Sequence, residues 1–576
     1  MGRRFVLLCA AVTIAATLGC GSRPARDPSR ADATSPSATG PKRIVAAIMS
    51  DPPTISAHFI LAGSGTIPGG DAMTGLLDAG LTVTDDHGDL RPQLAERVPS
   101  VENGFWTVHP DGTMETVWKI RGGAQWHDGL PLTSDDILFT AGLAQDRDLT
   151  FFHDPAIEPV AAVDALDAQT VRVAWARPYI QADHLFGLST ISPRPRHLLE
   201  PILQSAEDKT SVFQAPYWTT DFVGAGPFRL REWVRGSHLI MEANDAYVLG
   251  RPHLDEIEVR FIPDPNALVA NVLAGTVELT MGRNISLQQA MQLRDSWRDG
   301  RIDVGFTDWI ALYPQLLNPS PAVLSDVDFR RALLYGLDRE QLVETLQYGL
   351  VPVAHSFVNP NESVYPEIED SVVKYPYDPR RATQLIEGLG YAKAGDGIYR
   401  DAVGQQLSLE VRTSGGDDTQ ESGVISAADA YKRFGIAAEP YLIPQAQRND
   451  REYNATYPGL RLWRLPNDLG RVDRYASSDA PLPENHFSGA NRSRYINPEF
   501  DALVDAYMTT IPLAERVGWL RQIVHHMTDR VIILGLWYNT EAIVIANRIT
   551  GVANKRTGDA DLPWNAEQWD VKNVAA

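Results

Sequence analysis

Residues 116–121 combine β-branched and aromatic side chains with polar ones and predict a strand. After this strand, Asp128 and Gly129 are typical of a tight turn, and an apolar run follows at residues 137–139. A hairpin tip therefore leads into a helix. Turn and cap chemistry accounts for His127 and Asp128, so neither residue requires a catalytic explanation.

Polar residues that cap helices precede several apolar stripes along the chain. The pairs that mark these helix starts are Thr133 with Asp136, Asp338 with Gln341, Asp378 with Pro379, and Asn497 with Pro498. The second pair lies in a segment, residues 333–349, that is predicted to be helical. Short extended stretches at residues 44–49, 76–83 and 171–173 alternate with such helices, and this alternation predicts an α/β fold.

The start of the chain has the pattern of an exported protein. Arg3 and Arg4 precede an apolar stretch at residues 5–17 that is too short to span a bilayer comfortably. The four residues that end at Cys20 look like a bacterial lipobox, so Cys20 is expected to become the lipidated first residue. An ordinary cleaved signal with an incidental cysteine is the alternative.

The composition excludes several classes of partner and site. The chain has 52 Lys and Arg against 73 Asp and Glu, a formal charge of −21, and no basic segment with interleaved aromatics, so nucleic acid is not an expected partner. Both cysteines, Cys9 and Cys20, lie at the start, which leaves the folded part without disulfides, thiolate metal sites or cysteine nucleophiles. We therefore expect neither a cofactor nor a metal.

Catalytic motifs are also missing from the sequence. His525 and His526 lie in an amphipathic helical pattern, one facing outward and the other beside the core, without the neighbours of a zinc site. The Gly-x-Ser-x-Gly elbow of serine hydrolases is absent. Gly224 and Gly226 lack the residues of a phosphate-binding loop and are interpreted as bend and close-packing glycines. The sequence therefore predicts a protein that is not an enzyme.

Residues 126–136, which read WHDGLPLTSDD, resemble the signature of the extracellular solute-binding proteins of family 5. These proteins are the oligopeptide-, dipeptide- and nickel-binding components of ABC importers. Further resemblances occur along the chain in the family's order. They lie at residues 90–95, 163–173, 224–230, 329–339, 377–391 and 497–501. The resemblance covers the chain from about residue 44 to its end.

The resemblance implies a two-lobed, periplasmic-binding-protein-like α/β fold of type II with an extra subdomain in the first lobe. The implied organisation is a lipoprotein signal peptide at 1–20, a disordered tether at 21–43, a first-lobe core at 44–75, 190–305 and 534–576, an extra subdomain at 76–189, and a second lobe at 306–533. The ligand is expected between the lobes, where closure would bury it.

The same resemblance implies a lipid-anchored substrate-binding protein of an ABC importer, exported to the periplasm or another extracytoplasmic location. It would capture a peptide or peptide-like solute and deliver it to the permease subunits in the membrane, acting as a monomer. A ligand-binding sensor for a membrane receptor would keep the same fold and cleft. A secreted hydrolase is the other alternative.

Trp309 and Tyr313 are candidate ligand-binding residues on a predicted strand within residues 306–317. Their spacing places both aromatics on one face of the strand, with Ala311 between them. At the corresponding position of the family, aromatic residues border the cleft. Ordinary core packing is the alternative, since large apolar side chains are usually buried.

A second candidate wall follows along the chain. In the family's peptide binders, a Trp followed three residues later by Asp supplies a carboxylate for the α-amino group of the ligand. Here Trp463 has a proline at that distance, Asp468 comes two residues later, and Asp473 is a second possibility. Arg461 and Arg464 instead place cations there, which would suit a ligand carboxylate or phosphate. Surface ion pairing is the alternative for both arginines.

Overall fold

The computed structural model describes residues 40–56, 69–149, 152, 154–282, 284–558 and 560–572. The predicted signal peptide, its Cys20 and nearly all of the predicted tether lie outside these described residues. The chain from Pro41 onward forms one compact unit. Within the described ranges, no helix combines the length and apolar character needed to cross a membrane.

The described chain contains twenty strands, most of them short. They are β1 (Arg43–Ile48), β2 (Thr82–Thr84), β3 (Leu90–Pro92), β4 (Trp106–Val108), β5 (Met114–Lys119), β6 (Val160–Asp167), β7 (Thr170–Trp175), β8 (Phe228–Val234), β9 (His238–Ala243), β10 (Glu256–Phe261), β11 (Leu279–Thr280), β12 (Gly300–Pro314), β13 (Ala392–Lys393), β14 (Tyr399–Arg400), β15 (Ser408–Ser414), β16 (Ala437–Ile443), β17 (Leu460–Pro466), β18 (Leu534–Ala546), β19 (Ile549–Thr550) and β20 (Asp570–Val571).

Helices separate these strands, which confirms the predicted α/β class. The α-helices are α1 (Gly70–Leu77), α2 (Ser134–Gln145), α3 (Arg196–Ser205), α4 (Pro265–Leu273), α5 (Leu287–Ser296), α6 (Val327–Tyr335), α7 (Arg339–Gln347), α8 (Tyr365–Ile368), α9 (Pro379–Gly388), α10 (Asp418–Phe434), α11 (Arg451–Ala455), α12 (Pro498–Thr509) and α13 (Leu513–Asp529). Short 3₁₀ turns fill several of the connections, among them Leu469–Tyr475 directly after β17.

One sheet of ten strands organises the molecule, in the order β16-β15-β17-β12-β18-β11-β1-β10-β9-β8. The two long central strands, β12 and β18, pair antiparallel from Gly300 opposite Ala546 to Leu312 opposite Leu534. The second half of β12 pairs with β17, whereas the end of β18 pairs with β11. The two halves of this sheet are therefore joined through β12 and β18. A separate antiparallel sheet, β4-β5-β7-β6, lies within residues 106–175.

Cap and turn chemistry predicted the helix starts correctly. Asp338 accepts a hydrogen bond from the Gln341 amide, Asp378 caps a helix with Pro379 in its first turn, and Asn497 does the same before Pro498. These contacts span only two or three residues, so the local sequence determines them. The predicted strand at 44–49 is confirmed except for its last residue, since β1 ends at Ile48, and the one at 171–173 is confirmed as part of β7.

Two predicted boundaries were wrong. Leu76 and Leu77 are not extended but form the last turn of α1, because a continuous apolar run does not distinguish a buried helix from a strand. The helix predicted over residues 333–349 is two helices, α6 and α7. The first ends at Tyr335 with Gly336 as its C-cap, and Asp338 is the N-cap of the second, which begins at Arg339.

The hairpin tip and the following helix are built as predicted. Gly129 has φ of +87°, and the Asp128 carboxylate accepts a hydrogen bond from the Leu130 amide, so this is a tight turn. Thr133 and Asp136 form a capping box at the start of α2. Asp136 also accepts a hydrogen bond from the Arg196 amide at 2.9 Å, so this one buried carboxylate joins α2 to α3.

Asp136→Ala is expected to lower the free energy of unfolding by about 2 kcal/mol, because the amides of Thr133 and Arg196 lose their acceptor in a largely buried setting. Chemical denaturation of the purified protein measures this loss. Asp135→Ala is the matched control from the same turn, since the Asp135 side chain is 67% exposed. Equal losses in the two variants would contradict the joining role of Asp136.

Gly224 and Gly226 pack tightly against α1, as the sequence predicted. A Cβ atom on Gly224 would lie 2.1 Å from the Leu77 carbonyl oxygen, and one on Gly226 would lie 2.5 Å from the Leu77 carbonyl carbon. His127 completes the contact, because its ring accepts a hydrogen bond from the Gly224 amide and its other nitrogen lies 3.1 Å from the Gly226 carbonyl oxygen. The glycines therefore allow close backbone approach, and His127 has a structural role.

Candidate functional site

A cavity of about 390 Å³ is the candidate ligand site. Its lining combines residues from the start of α1, from residues 154–156 and 179–194, from the turn after β17, and from the segment 555–561. The turn after β17 extends from one half of the ten-stranded sheet, whereas α1 follows β1 in the other half. The cavity is therefore lined by segments that connect to both halves of the sheet. Its volume is near the lower end of the range for small-molecule sites, about 300–1,000 Å³.

The backbone before α1 fixes the position of Asp71 in this cavity. Gly69 has φ of +88°, and a Cβ atom on it would lie 2.3 Å from the Met281 carbonyl oxygen. A side chain at this position is therefore excluded on two grounds, conformation and space. α1 begins directly afterwards and places Asp71 in its first turn, at the wall of the cavity.

Asp71 and Lys555 form an ion pair at this wall, with 2.8 Å between the Lys555 ammonium and a carboxylate oxygen. Burial alone would raise the pKa of Asp71, but the charge and hydrogen bond of Lys555 more than offset this and lower it. For Lys555, burial is outweighed by the charges of Asp71 and Glu541, so its pKa is raised. The Asp71 side chain is nevertheless 56% exposed, so solvent reaches this wall of the cavity.

Asp561 is the second carboxylate at the same wall. Its Oδ2 accepts a hydrogen bond from the Thr84 amide, and its own amide donates to the Thr84 carbonyl oxygen, each at 3.0 Å. These two bonds fix the carboxyl group against β2. Burial raises the pKa of Asp561 to about 6, despite the opposing effects of the Thr84 hydrogen bond and of Lys555.

Asp468 lines the cavity from the opposite side. Its Oδ1 accepts a hydrogen bond from the Gly470 amide, and its Oδ2 accepts one from Arg474, both at 2.9 Å. Arg471 lines the cavity beside it and contacts Asp473 at 3.2 Å. The predicted carboxylate therefore reaches the cavity, but both of its oxygens already have partners within the turn.

The other five predicted ligand residues do not line this cavity. Trp309 and Tyr313 lie on β12 as expected, with ring centroids 6.3 Å apart, and are 2% and 1% exposed. Pairing of β12 with β17 places Arg461 opposite Tyr313 and Trp463 opposite Ala311, on the same face of the sheet. This face holds a buried aromatic and cationic layer, and its assignment to a ligand stays a prediction.

Trp463 is held between two guanidinium groups. The Arg461 and Arg492 guanidinium carbons lie 3.9 and 4.3 Å from its ring centroid, which is close enough for cation–π attraction. Arg461 also donates to the carbonyl and side-chain oxygens of Asn454, and burial lowers the pKa of Arg461 to about 10. It therefore stays charged at neutral pH.

Arg464 projects from the opposite face of β17. It contacts Asp308 at 3.5 Å and Asp417 at 3.3 Å. This is the ion-pairing alternative considered for it. Both contacts are consistent with that alternative, and the assignment of Arg464 to a ligand stays a prediction.

Sequence reasoning missed Asp71, Lys555 and Asp561. No local motif marks them, because Asp71 is 484 positions from Lys555 and meets the segment of Lys555 and Asp561 only through the packing of distant parts of the chain. The helix with His525 and His526 is confirmed: His525 is exposed, and His526 packs against Phe500 with ring centroids 5.0 Å apart. Among the described residues, no group of three His, Cys, Asp or Glu side chains is arranged to hold a metal ion.

Comparison with known proteins identifies close similarity to one family. The sequence model of the family "Bacterial extracellular solute-binding proteins, family 5 Middle" matches residues 89–477 of the chain. The oligopeptide-binding protein AppA of Bacillus subtilis (strain 168) is 26% identical over 434 residues, which cover 74% of this chain and 74% of AppA.

Solved structures show the same fold. AppA from Bacillus subtilis in complex with a nonapeptide superposes with a TM-score of 0.64 at 20% identity, covering 93% of this chain and all of that one. NikZ from Campylobacter jejuni in complex with Ni(L-His) superposes with a TM-score of 0.68 at 19% identity, covering 92% of this chain and all of that one. These structural similarities extend over almost the whole chain.

Proposed function

The chain belongs to the bacterial extracellular solute-binding proteins of family 5, and from this premise we propose that it captures a peptide or peptide-like solute for an ABC importer. The family and the two-lobed, periplasmic-binding-protein-like fold predicted from the sequence are confirmed. The members of this family are solute-binding proteins. We further propose that a lipid on Cys20 anchors the protein outside the cytoplasm and that it delivers its solute, as a monomer, to the permease subunits.

The cavity with walls from both halves of the sheet is the observation that carries this proposal. Asp71, Lys555 and Asp561 contribute one wall, and Asp468 and Arg471 contribute the other. A solute held there would contact both walls at once, so its binding would favour the closed arrangement over an open one. β12 and β18 join the two halves, and the irregular pairing between Phe306 and Asp308 is a suitable place for bending.

The proposed lobe boundaries follow the same strands. The first lobe would contain residues 44–75, 190–305 and 534–576 with the extra subdomain at 76–189, and the second lobe residues 306–533. The antiparallel sheet β4-β5-β7-β6 supports a separate subdomain in that region. The change of partner along β12, from β18 alone to β18 and β17 together, supports a boundary near residue 306.

Thermal unfolding in the presence of solute libraries tests the binding function. Short peptides, oligosaccharides and nickel–histidine complexes are the classes to screen. A ligand present at one hundred times its Kd should stabilise the protein by about 2.7 kcal/mol. No stabilisation by any class would contradict the proposal, and breakdown of a bound ligand during the assay would favour the hydrolase alternative.

Uptake measurements separate an importer component from a sensor. Deleting the gene in the source bacterium should abolish uptake of the ligand identified in the screen. Normal uptake together with a lost transcriptional or motile response to that ligand would favour the sensor alternative, which uses the same cleft.

For a ligand that extends beyond the cavity, we propose that Trp309, Tyr313, Arg461 and Trp463 form a further part of the wall. We propose Arg464 as a separate contact, since it projects from the opposite face of β17. Trp463→Ala is then expected to weaken binding of the identified ligand about tenfold, since a large aromatic surface is lost. The melting temperature should fall only slightly, because Trp463 is half-buried. Calorimetric titration and thermal unfolding measure the two effects. A sharp fall in melting temperature with unchanged affinity would show that Trp463 is a core residue only.

A further inference from the structure

The wall formed by Asp71, Lys555 and Asp561 has fewer cations than carboxylates. The Lys555 ammonium contacts Asp71 directly at 2.8 Å. Among the described residues, no side-chain cation lies within 4.0 Å of Asp561, and its Oδ1 has no hydrogen-bond donor. One ammonium group thus serves two carboxylates, and the less compensated of them has an oxygen available to a ligand.

Ser56 provides an independent indication of a ligand at this cavity. Ser56 is one of the residues that line the cavity, it is only 1% exposed, and its buried hydroxyl has no hydrogen-bond partner among the described residues. A buried hydroxyl without a partner is costly, and such groups in native proteins are usually satisfied by a ligand, an ion or water. The Ser56 hydroxyl can accept a hydrogen bond as well as donate one.

We propose that this wall binds a primary ammonium group of the solute, with Asp561, Asp71 and Ser56 as its acceptors. This inference rests on the proposed solute-binding function and specifies the chemistry of the ligand. An ammonium group has three donors, which matches three separate oxygen-bearing side chains. The positive charge of the ligand would balance the second carboxylate, since the single charge of Lys555 balances only one of the two. This ammonium site is separate from the Asp468 carboxylate, whose two oxygens accept hydrogen bonds from Gly470 and Arg474.

The affinity for an ammonium group should depend on pH through Asp561. Binding a cation favours the ionised carboxylate, so the affinity should fall as the pH is lowered through about 6. The charged and titratable groups that face Asp561 are Lys555, Asp71 and His184. Lys555, Asp71 and His184 are all retained when Asp561 is replaced. The contribution of Asp561 is therefore the part of the pH dependence that disappears when Asp561 is replaced.

Calorimetric titration of the full-length protein with four probe sets tests the inference. The sets are di- and tripeptides with free amino termini, the same peptides N-acetylated, linear diamines such as cadaverine, and neutral oligosaccharides. We expect binding of free peptides or of diamines, and an affinity at least about 30-fold lower when the amine is acetylated, as for a lost hydrogen bond to a charged group. Comparing peptides with diamines shows which source of ammonium is used.

Asp561→Asn assigns the effect to this wall. The amide side chain still accepts the Thr84 hydrogen bond, so folding should be retained. We expect at least about 30-fold weaker binding of the free amine, with a reduced pH dependence. Asp295→Asn is the control, because the Asp295 side chain is 73% exposed on α5. If the Asp561 variant does not fold, two other measurements test the ammonium site. They are amine binding by Ser56→Ala and the comparison of free with acetylated peptides on the unmodified protein.

Each remaining outcome is decisive. Equal affinities for free and acetylated peptides, or binding of neutral oligosaccharides alone, would overturn the ammonium site while leaving the solute-binding function intact. Unchanged binding of amines by Asp561→Asn would also overturn it. Binding of no probe from any set would contradict the proposed function itself and the ammonium site with it.

Discussion

Asp78→Ala is expected to lower the free energy of unfolding by about 3–5 kcal/mol, because it leaves the Arg194 guanidinium buried without its counter-charge. Asp78 Oδ2 accepts hydrogen bonds from Arg194 at 2.7 Å and from the Ser192 hydroxyl at 2.8 Å. The two charged side chains are 1% and 5% exposed. Since Asp78 ends α1 and Arg194 follows the 179–192 segment, the pair joins two walls of the cavity.

Chemical denaturation measures this loss, with Asp245→Ala as the control. Asp245 also pairs with an arginine, Arg251, at 2.7 Å, but its side chain is 78% exposed. An exposed pair of this kind contributes about 0–1 kcal/mol. A loss of similar size in both variants would show that burial does not determine the importance of the Asp78 pair.

Arg330→Ala is expected to destabilise the protein by about 3 kcal/mol or more, because four main-chain carbonyl groups lose a charged donor. Arg330 donates to the carbonyl oxygens of Leu324, Ser325, Arg530 and Val531 at 2.7–2.9 Å, and the residue is 4% exposed. These bonds fix the turn that leads from α13 to β18, in which Val531 has φ of +46°. Burial lowers the pKa of Arg330 to about 10, so it stays charged at neutral pH.

Arg330→Lys is the informative companion variant. It keeps the charge but replaces a planar fork of five donors with a single ammonium group. We expect it to recover less than half of the stability lost in Arg330→Ala, as measured by the midpoint of denaturation. Full recovery would show that the charge alone matters and would contradict the role assigned to the four directed hydrogen bonds.

Local elements could be predicted because short-range contacts determine them. The Asp378 and Asn497 caps act over two or three residues, and the Asp128-Gly129 turn is closed within its own segment. The stretch 76–83 was assigned wrongly at its start because an apolar run without periodicity fits both a buried helix and a strand.

The candidate site was only partly predictable, for a different physical reason. Asp468 was found because the family spacing points to the turn after β17. Asp71 and Asp561 could not be found, because their proximity depends on how distant segments pack and no local pattern records it. Charge alone could not separate the two alternatives for Arg464, because a cation looks the same in sequence whether or not carboxylates such as Asp308 and Asp417 lie beside it.

Native mass spectrometry of the protein purified from its own bacterium tests the central claim, that the cavity holds a solute captured outside the cytoplasm. The account predicts a folded species heavier than the polypeptide by the mass of a small solute, which is released on denaturation and restores the excess mass when added back. A folded species with only the polypeptide mass, unchanged after exposure to peptide, diamine, oligosaccharide and nickel–histidine sets, would contradict it.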